Sequence, residues 1–313
     1  MWNWFKGTIL LRRFPGVNKT SLSSQRFWDN MSMGNEKTFK ALNDKSLSLL
    51  DLLFSLSYVI YRIMNRSIFD HPLIAARSFF PRKVAFESPF WVDCEEAKLA
   101  CYYFQKYPEG KTIVFFHGNG EVVTDYIDLY IPVFDQLGYN CFLAEYRGYG
   151  MSTGSVALGA MLKDVEKVIK AIDQPLEKTV LFGRSIGSLF ALHGVSLFPN
   201  IAGLIIESGI ANILERLLLR VHPAEIGITL DALQTEAEKR FNHQEKLAGY
   251  KGSTLILHAR HDSLIHYSHG QQLYEWASEP KQIKIFDRGD HNDIMVVNVQ
   301  EYFQRIDRFL ARL

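Results

Sequence analysis

"KTVLFGRSIGSLFALHGVSLF" occupies positions 178–198. The apolar run Thr179–Phe182 enters Gly183-Arg184-Ser185-Ile186-Gly187 with no linker, and a helix-forming apolar segment leaves it at once. A strand feeding a sharp turn that opens a helix is the local architecture in which G-x-S-x-G carries chemistry. The turn holds the serine in a strained conformation, so the residues two positions away must be small. The helix N-terminus then directs backbone N–H groups at an oxygen that becomes negative. Ser185 is therefore the candidate nucleophile. "GMSTG" at 150–154 fits the same five-letter pattern without that context. Its strand ends near Glu145 or Tyr146, "RGY" intervenes, and no helix starts before about Leu158. Ser152 reads as part of a pocket-side loop whose glycines matter more than its hydroxyl.

Outward from the elbow the chain repeats strand, loop, helix. "KLACYYFQ" (98–105), "KTIVFFHGNG" (111–120), "NCFLAEYRGYG" (140–150), "IAGLIIESG" (201–209), "STLILHARHD" (253–262) and "KQIKIFDRGDHND" (281–293) are apolar runs ending in polar or glycine-bearing loops. Continuous apolar strands alternating with helices imply a mostly parallel sheet covered on both faces. Chemistry in such sheets gathers at the carboxyl ends of strands. His117, Ser185, Asp262 and His291 all fall there. About 40 residues separate the strands on either side of 210–252, long for a connection. Their helical text predicts a short helical cap inserted over the site.

A serine hydroxyl needs a base, and the base an orienting acid, in the order Ser…Asp/Glu…His. His291 is the only histidine beyond position 269. Its neighbours Asn292 and Asp293 are expected to cap the final helix. Asp262 is the first choice of acid, with Glu207 as the alternative; Asp287 and Asp290 stand too close to His291 in sequence. The oxyanion hole is assigned to the backbone N–H groups of Ile186 and Asn119, the latter in "HGNGE". Gly118, Gly120 and Arg184 are placed at the substrate, the two glycines allowing close backbone approach. His117 is read as holding its loop.

The bulk composition agrees with an ordinary globular chain. Of 313 residues, 47% are hydrophobic and 22% charged, enough for a buried core. The formal charge of +1 gives no reason to expect nucleic acid. Three cysteines form neither a metal pattern nor a disulfide framework, which fits a reducing compartment such as the cytoplasm. The first 28 residues carry Lys6, Arg12, Arg13, Lys19 and Arg26 and no acid. That pattern leaves open organellar targeting, a basic segment lying on a membrane, or an overextended start before Met31 or Met33. "LSLLDLLFSLSYVIY" (47–61) is the most apolar stretch, shorter than the ~20 residues of a membrane span and interrupted by Asp51. Ser48, Asp51, Ser55 and Arg62 form a polar stripe on a helix whose other face packs on the domain or touches lipid. The predicted organisation is an N-terminal extension over 1–82 and a catalytic domain over 83–313.

"HGNGE", "YRGYGMSTG", "GRSIG", "HARHDSLI" and "DHND" follow one another in the order shown by the α/β-hydrolase superfamily, and the chain resembles it from about 84 to 313. "YSHGQQLYE" (267–275) and His291-Asn292-Asp293 are similar to the branch that includes membrane-associated protein depalmitoylases; related bacterial esterases share the motifs. The resemblance implies a serine hydrolase acting on an acyl ester or thioester, with no cofactor and no metal. An aminopeptidase-like amide hydrolase and a binding protein on the same fold stay as alternatives. The N-terminal cysteine cluster of those depalmitoylases is missing here. Two other rivals fit less well. "GYGMSTG" is one residue off the dinucleotide fingerprint. His258, His261, His266 and His269 are dense, but no three plainly converge on a metal.

Overall fold

The computed structural model describes residues 66–313. The basic segment 1–28 and the apolar stretch 47–61, read from sequence as a helix, lie outside those residues. Each apolar run predicted as a strand becomes one, and with one further strand, Phe90–Cys94, the runs form a single eight-stranded sheet. The strands are β1 (Phe90–Cys94), β2 (Ala97–Phe104), β3 (Thr112–Phe116), β4 (Asn140–Ala144), β5 (Thr179–Arg184), β6 (Gly203–Glu207), β7 (Ser253–Ala259) and β8 (Lys281–Phe286). Their order is β1-β2-β4-β3-β5-β6-β7-β8. β1 and β2 are antiparallel to each other, and β2 to β4; from β4 to β8 every pairing is parallel. β3, β4, β5 and β6 are buried along their whole length. Helices on both faces require this, and it explains why those strands lack polar alternation.

Ten α-helices are described: α1 (Pro72–Ser78), α2 (Thr124–Gln136), α3 (Leu158–Ala171), α4 (Gly187–Leu197), α5 (Ile213–Leu218), α6 (Leu230–Phe241), α7 (His243–Gly249), α8 (Ser268–Trp276), α9 (Ile294–Val297) and α10 (Val299–Leu310). α3 places Leu158, Met161, Leu162, Val165, Val168 and Ile169 on one buried stripe, the spacing of an amphipathic helix on a sheet. α4 differs. It is apolar almost all round and buried from Gly187 to Leu192, because it packs against β5, β3 and β6 on one side and α3 and α7 on the other. Each fully buried Leu or Phe on it contributes ~2 kcal/mol through removal from water. Pro199, just beyond Phe198, prevents continuation of the helix.

The sheet divides the core in two. One side gathers Val114, Phe116, Leu181, Leu189 and Ile206 with α3 and α4. The other gathers Phe115, Phe182, Leu257, Tyr302 and Ile306 with α2 and α10. Between β6 and β7 the inserted residues fold as α5, a 3-10 turn at Pro223–Ile226, α6 and α7. α6 packs on α5 and the 3-10 turn, whereas α7 lies on α4 and α8 and completes the layer covering the sheet. Residues 67–79, upstream of the predicted boundary at 82, pack on this same unit. Phe69 is fully buried and meets Phe241 edge to face at 5.0 Å. The Ser67 hydroxyl donates to Glu236 at 2.8 Å. Among the described residues no helix is long and apolar enough to cross a membrane.

Candidate active site

Ser185 follows the last residue of β5 and precedes α4 by two positions. Its φ is +53°, a left-handed conformation that costs a non-glycine residue about 1–3 kcal/mol and must be imposed by its surroundings. The imposition is visible at both flanking glycines. A Cβ on Gly183 would stand 2.6 Å from the Gly187 carbonyl oxygen, and a Cβ on Gly187 would collide with the Phe116 carbonyl. The Ser185 amide donates to the Glu207 carbonyl at 2.8 Å, which continues the β5–β6 ladder into the turn.

The side chain meets the loop after β8. His291 Nε2 is 2.9 Å from Ser185 Oγ, and His291 Nδ1 is 2.8 Å from Asp262 Oδ2. Three strand ends thus converge: β5 supplies the serine, β7 the acid and β8 the histidine. All three side chains are buried, Ser185 at 8% exposure. Asp262 Oδ1 accepts from the Leu264 and Ile265 amides at 3.0 and 2.7 Å. Burial pushes the Asp262 carboxyl up, yet hydrogen bonds from His258 and His291 and the Ile265 amide outweigh it. They hold the group well below the usual carboxylate range. Asp290 ties the two loops together by accepting from the Ser263 amide and hydroxyl at 2.6 and 2.7 Å and from the His291 amide at 2.6 Å.

Across from the elbow, the loop after β3 is locked by its side chains. Asn119 Oδ1 accepts from the Phe80 amide at 3.1 Å and the Tyr149 hydroxyl at 2.9 Å, and its Nδ2 donates to the Ser78 carbonyl at 2.7 Å. His117 is 1% exposed, with Nε2 2.8 Å from Glu145 and Nδ1 2.8 Å from the Gly118 carbonyl. The Tyr146 hydroxyl donates to the His117 carbonyl at 2.7 Å. These contacts use the side chains of Asn119 and His117. Among the described residues no hydrogen bond engages the backbone N–H of Asn119 or Ile186. A rigid loop with uncommitted amides is what stabilisation of an oxyanion demands.

A family profile described as "Serine aminopeptidase, S33" matches residues 108–230, a span that holds Ser185 and ends before Asp262 and His291. The human protein named alpha/beta hydrolase domain-containing protein 17B is 24% identical over 223 residues, covering 69% of this chain and 72% of that protein. An esterase of Pyrococcus furiosus superposes with a TM-score of 0.60 at 19% identity, over 74% of this chain and 98% of its own. The alpha/beta hydrolase GrgF of Penicillium sp. sh18 gives 0.58 at 16% identity, over 72% and 98%.

The protein has the α/β-hydrolase fold. Within this hydrolase fold the remaining residues singled out from sequence take up definite places. Arg184, expected at the substrate, turns away from it. Its guanidinium pairs with Glu121, meets Glu207 at 3.0 Å, and donates to the His291 carbonyl at 2.9 Å and to Asn292 Oδ1 at 3.4 Å. A guanidinium that is 8% exposed and committed to two carboxylates and the loop that carries His291 serves this internal network. Gly118, also expected at the substrate, leaves room for that network instead, since its Cβ would fall 2.6 Å from Glu121 Oε2 and collide with Arg184. Gly120 has φ +81° and makes the turn of the loop. Glu207, the alternative acid, is 1% exposed and pairs with Arg184 and Tyr302, away from His291 Nδ1.

Ser152 is 2% exposed, and its Oγ accepts from the Ala100 amide at 2.9 Å. Gly148, Gly150 and Gly154 around it have φ of +80°, +48° and +77°. "GMSTG" is thus a glycine-built turn pinned to β2, and its serine holds backbone. Asp293 precedes α9 but makes no side-chain capping bond; its Oδ1 accepts from the Asp290 amide at 2.6 Å, within the base loop. Among the described residues no group of three or more histidine, cysteine or acidic side chains is placed to hold a metal, and three of the clustered histidines have other partners. His258 faces Asp262 and the Ile265 carbonyl, His269 accepts from the Ala211 amide and faces Glu215, and His266 meets Ser268. Two structural residues of the site were not assigned to it from sequence: Glu121, and His258, which was weighed there only as a metal ligand. The spacing in "HARHD", one helical turn's worth of residues from Asp262, was the available signal for the latter.

Proposed function

We propose that the protein is a serine hydrolase that cleaves an acyl ester or thioester through an acyl-enzyme on Ser185. The observation that carries this is the continuous chain Ser185 Oγ, His291, Asp262, with contacts of 2.9 and 2.8 Å, set on a strained strand-to-helix turn. His291 Nε2 takes the Ser185 proton as Oγ attacks the acyl carbonyl, and Asp262 holds the imidazole with Nδ1–H toward the acid. The amides of Ile186 and Asn119 donate to the tetrahedral oxyanion. His291 then gives its proton to the departing alcohol or thiol. In the second half a water, deprotonated by the same histidine, attacks the acyl-enzyme, and Ser185 Oγ leaves with that proton. The similarity to esterases and to a hydrolase-domain protein agrees with this chemistry.

Two exposed apolar side chains next to the site favour an acyl group of some length. Phe80, whose amide holds Asn119, is 49% exposed, and Leu264, two residues after Asp262, is 46% exposed. The substrate is a small or lipid-like acyl compound; no organic cofactor and no metal takes part. Contact of the N-terminal region with a membrane surface is part of the same reading and concerns residues outside those described. A series of p-nitrophenyl esters from acetate to dodecanoate, with an S-acyl thioester and an aminoacyl p-nitroanilide beside it, tests the proposal. Rates should rise with acyl length and favour ester and thioester over anilide. Strict preference for acetate contradicts the lipid-like substrate, and faster cleavage of the anilide replaces the esterase by an aminopeptidase.

A further inference from the structure

Asp262 has a second imidazole partner. His258, fully buried on β7 four residues before the acid, places Nε2 2.8 Å from the Ile265 carbonyl oxygen and 3.3 Å from Asp262 Oδ2. A carbonyl oxygen only accepts, so Nε2 carries the hydrogen, and that N–H is shared between Ile265 and the carboxylate. The same Oδ2 accepts from His291 Nδ1 at 2.8 Å, while Oδ1 takes the amides of Leu264 and Ile265. Four donors therefore surround the carboxylate, matching its about four lone-pair directions. With every direction occupied, the plane of Asp262 has one orientation left, the one that aims Oδ2 at His291.

The ring of His258 is fixed from behind as well. Its Nδ1 is buried with no hydrogen-bond partner. It faces Gly270 at the start of α8, where a Cβ would come within 2.7 Å of Nδ1 and 3.1 Å of Cγ. No side chain fits between α8 and the ring, so the glycine of "YSHG" seats the histidine. A buried nitrogen without a partner is destabilising. An apolar residue at 258 would avoid that cost, and the histidine's one distinguishing contribution here is the shared N–H on the far side.

We propose that His258 is a positioning residue for the reaction, acting through Asp262: its Nε2–H and the Gly270 seat fix the carboxylate so that His291 is held toward Ser185. This rests on the serine-hydrolase reading above. The test uses the full chain and p-nitrophenyl butyrate, with fluorophosphonate labelling of Ser185 as a second readout. His258→Leu, which keeps bulk and removes the donor, should lower kcat and the labelling rate together by on the order of 10- to 100-fold, the scale of a ~1 Å misplacement, with KM little changed. His258→Gln, which returns an N–H at the reach of Nε2, should recover most of the rate. Equal loss in both variants means a packing role only and overturns the proposal, as does a His258→Leu enzyme with the parent kcat. Ser185→Ala, run in parallel, separates the two claims, since its retention of activity would remove the hydrolase reading itself. Should His258→Leu not fold, Gly270→Ala reads the same contact by pressing on the ring. It should lower kcat and the labelling rate with KM held, and parent values there overturn the proposal.

Discussion

Arg184→Met removes the charge that joins the nucleophile's strand to the base's loop. The side chain is 8% exposed and touches Glu121, Glu207, the His291 carbonyl and Asn292. Removing one partner of a buried ion pair leaves the other uncompensated, which costs ~3–5 kcal/mol. Glu207 is the group left behind, at 1% exposure, with Tyr302 as its remaining partner. Burial already raises the Glu207 carboxyl, and Arg184 is the largest influence pulling it down. Without the arginine, the folded state of the variant binds a proton at Glu207 that the unfolded chain releases above its ordinary value near 4.5. A carboxyl raised in the folded state contributes stability below the unfolded value that is lost as pH rises through the folded one. The deficit of the variant should therefore grow from pH 5 to pH 8. Urea unfolding followed by tryptophan fluorescence, repeated at several pH values, measures it. Glu207→Gln added to Arg184→Met should restore part of the stability and flatten the pH dependence. A deficit below about 1 kcal/mol, or one indifferent to pH and to Glu207→Gln, would show that Arg184 does not compensate the Glu207 charge. Esterase kcat should fall as well, because the His291 carbonyl loses its anchor.

Ser152→Ala should leave ester hydrolysis and labelling unchanged while destabilising the protein by about 1–2 kcal/mol, read in the same urea titration, because the buried Ala100 amide loses its acceptor. Asp262→Asn should reduce kcat by ~10⁴-fold at constant fold, seen by steady-state kinetics beside circular dichroism, since the amide no longer fixes the His291 tautomer. His243 lies buried and His193 half-buried between α4 and α7; removal from water pushes His193 down to about 4 and His243 well below its ordinary value. The unfolded chain binds those protons first as pH drops below about 6.5, so stability falls toward acid by up to ~1.4 kcal/mol per pH unit for each histidine. Thermal melts from pH 7 to 5 should show the fall, and His243→Leu should make it shallower.

Most of the sheet was legible because its central strands are fully buried and read as unbroken apolar runs. β1 was not: Phe90–Cys94 alternates intermediate and exposed positions around one buried valine, the pattern of a short edge strand. α2 carries Pro132 inside it, which masks its period, and the short α1 is set by Pro72 and the His71 cap rather than by an apolar stripe. Ser185, Asp262 and His291 were legible because topology constrains strand ends, and a five-letter motif could be checked against the strand and helix beside it. Arg184 shows where that logic stops. Its place next to the serine suggests substrate, but side-chain direction depends on Glu121 and Glu207, residues 63 and 23 positions away. A buried charge chooses its partners in three dimensions, and neither carboxylate has a sequence pattern that announces the pairing. His258 was hidden for the opposite reason, since a histidine among four neighbouring ones looks like composition until its ring is seen against Asp262.

Ser185, and not Ser152, is the serine proposed to become covalently acylated. Intact-mass spectrometry with peptide mapping after exposure to a fluorophosphonate tests it directly. One adduct per chain is expected on Ser185 in the parent protein and in Ser152→Ala, and none in Ser185→Ala. An adduct that persists in Ser185→Ala, or a parent chain that takes none, would contradict it.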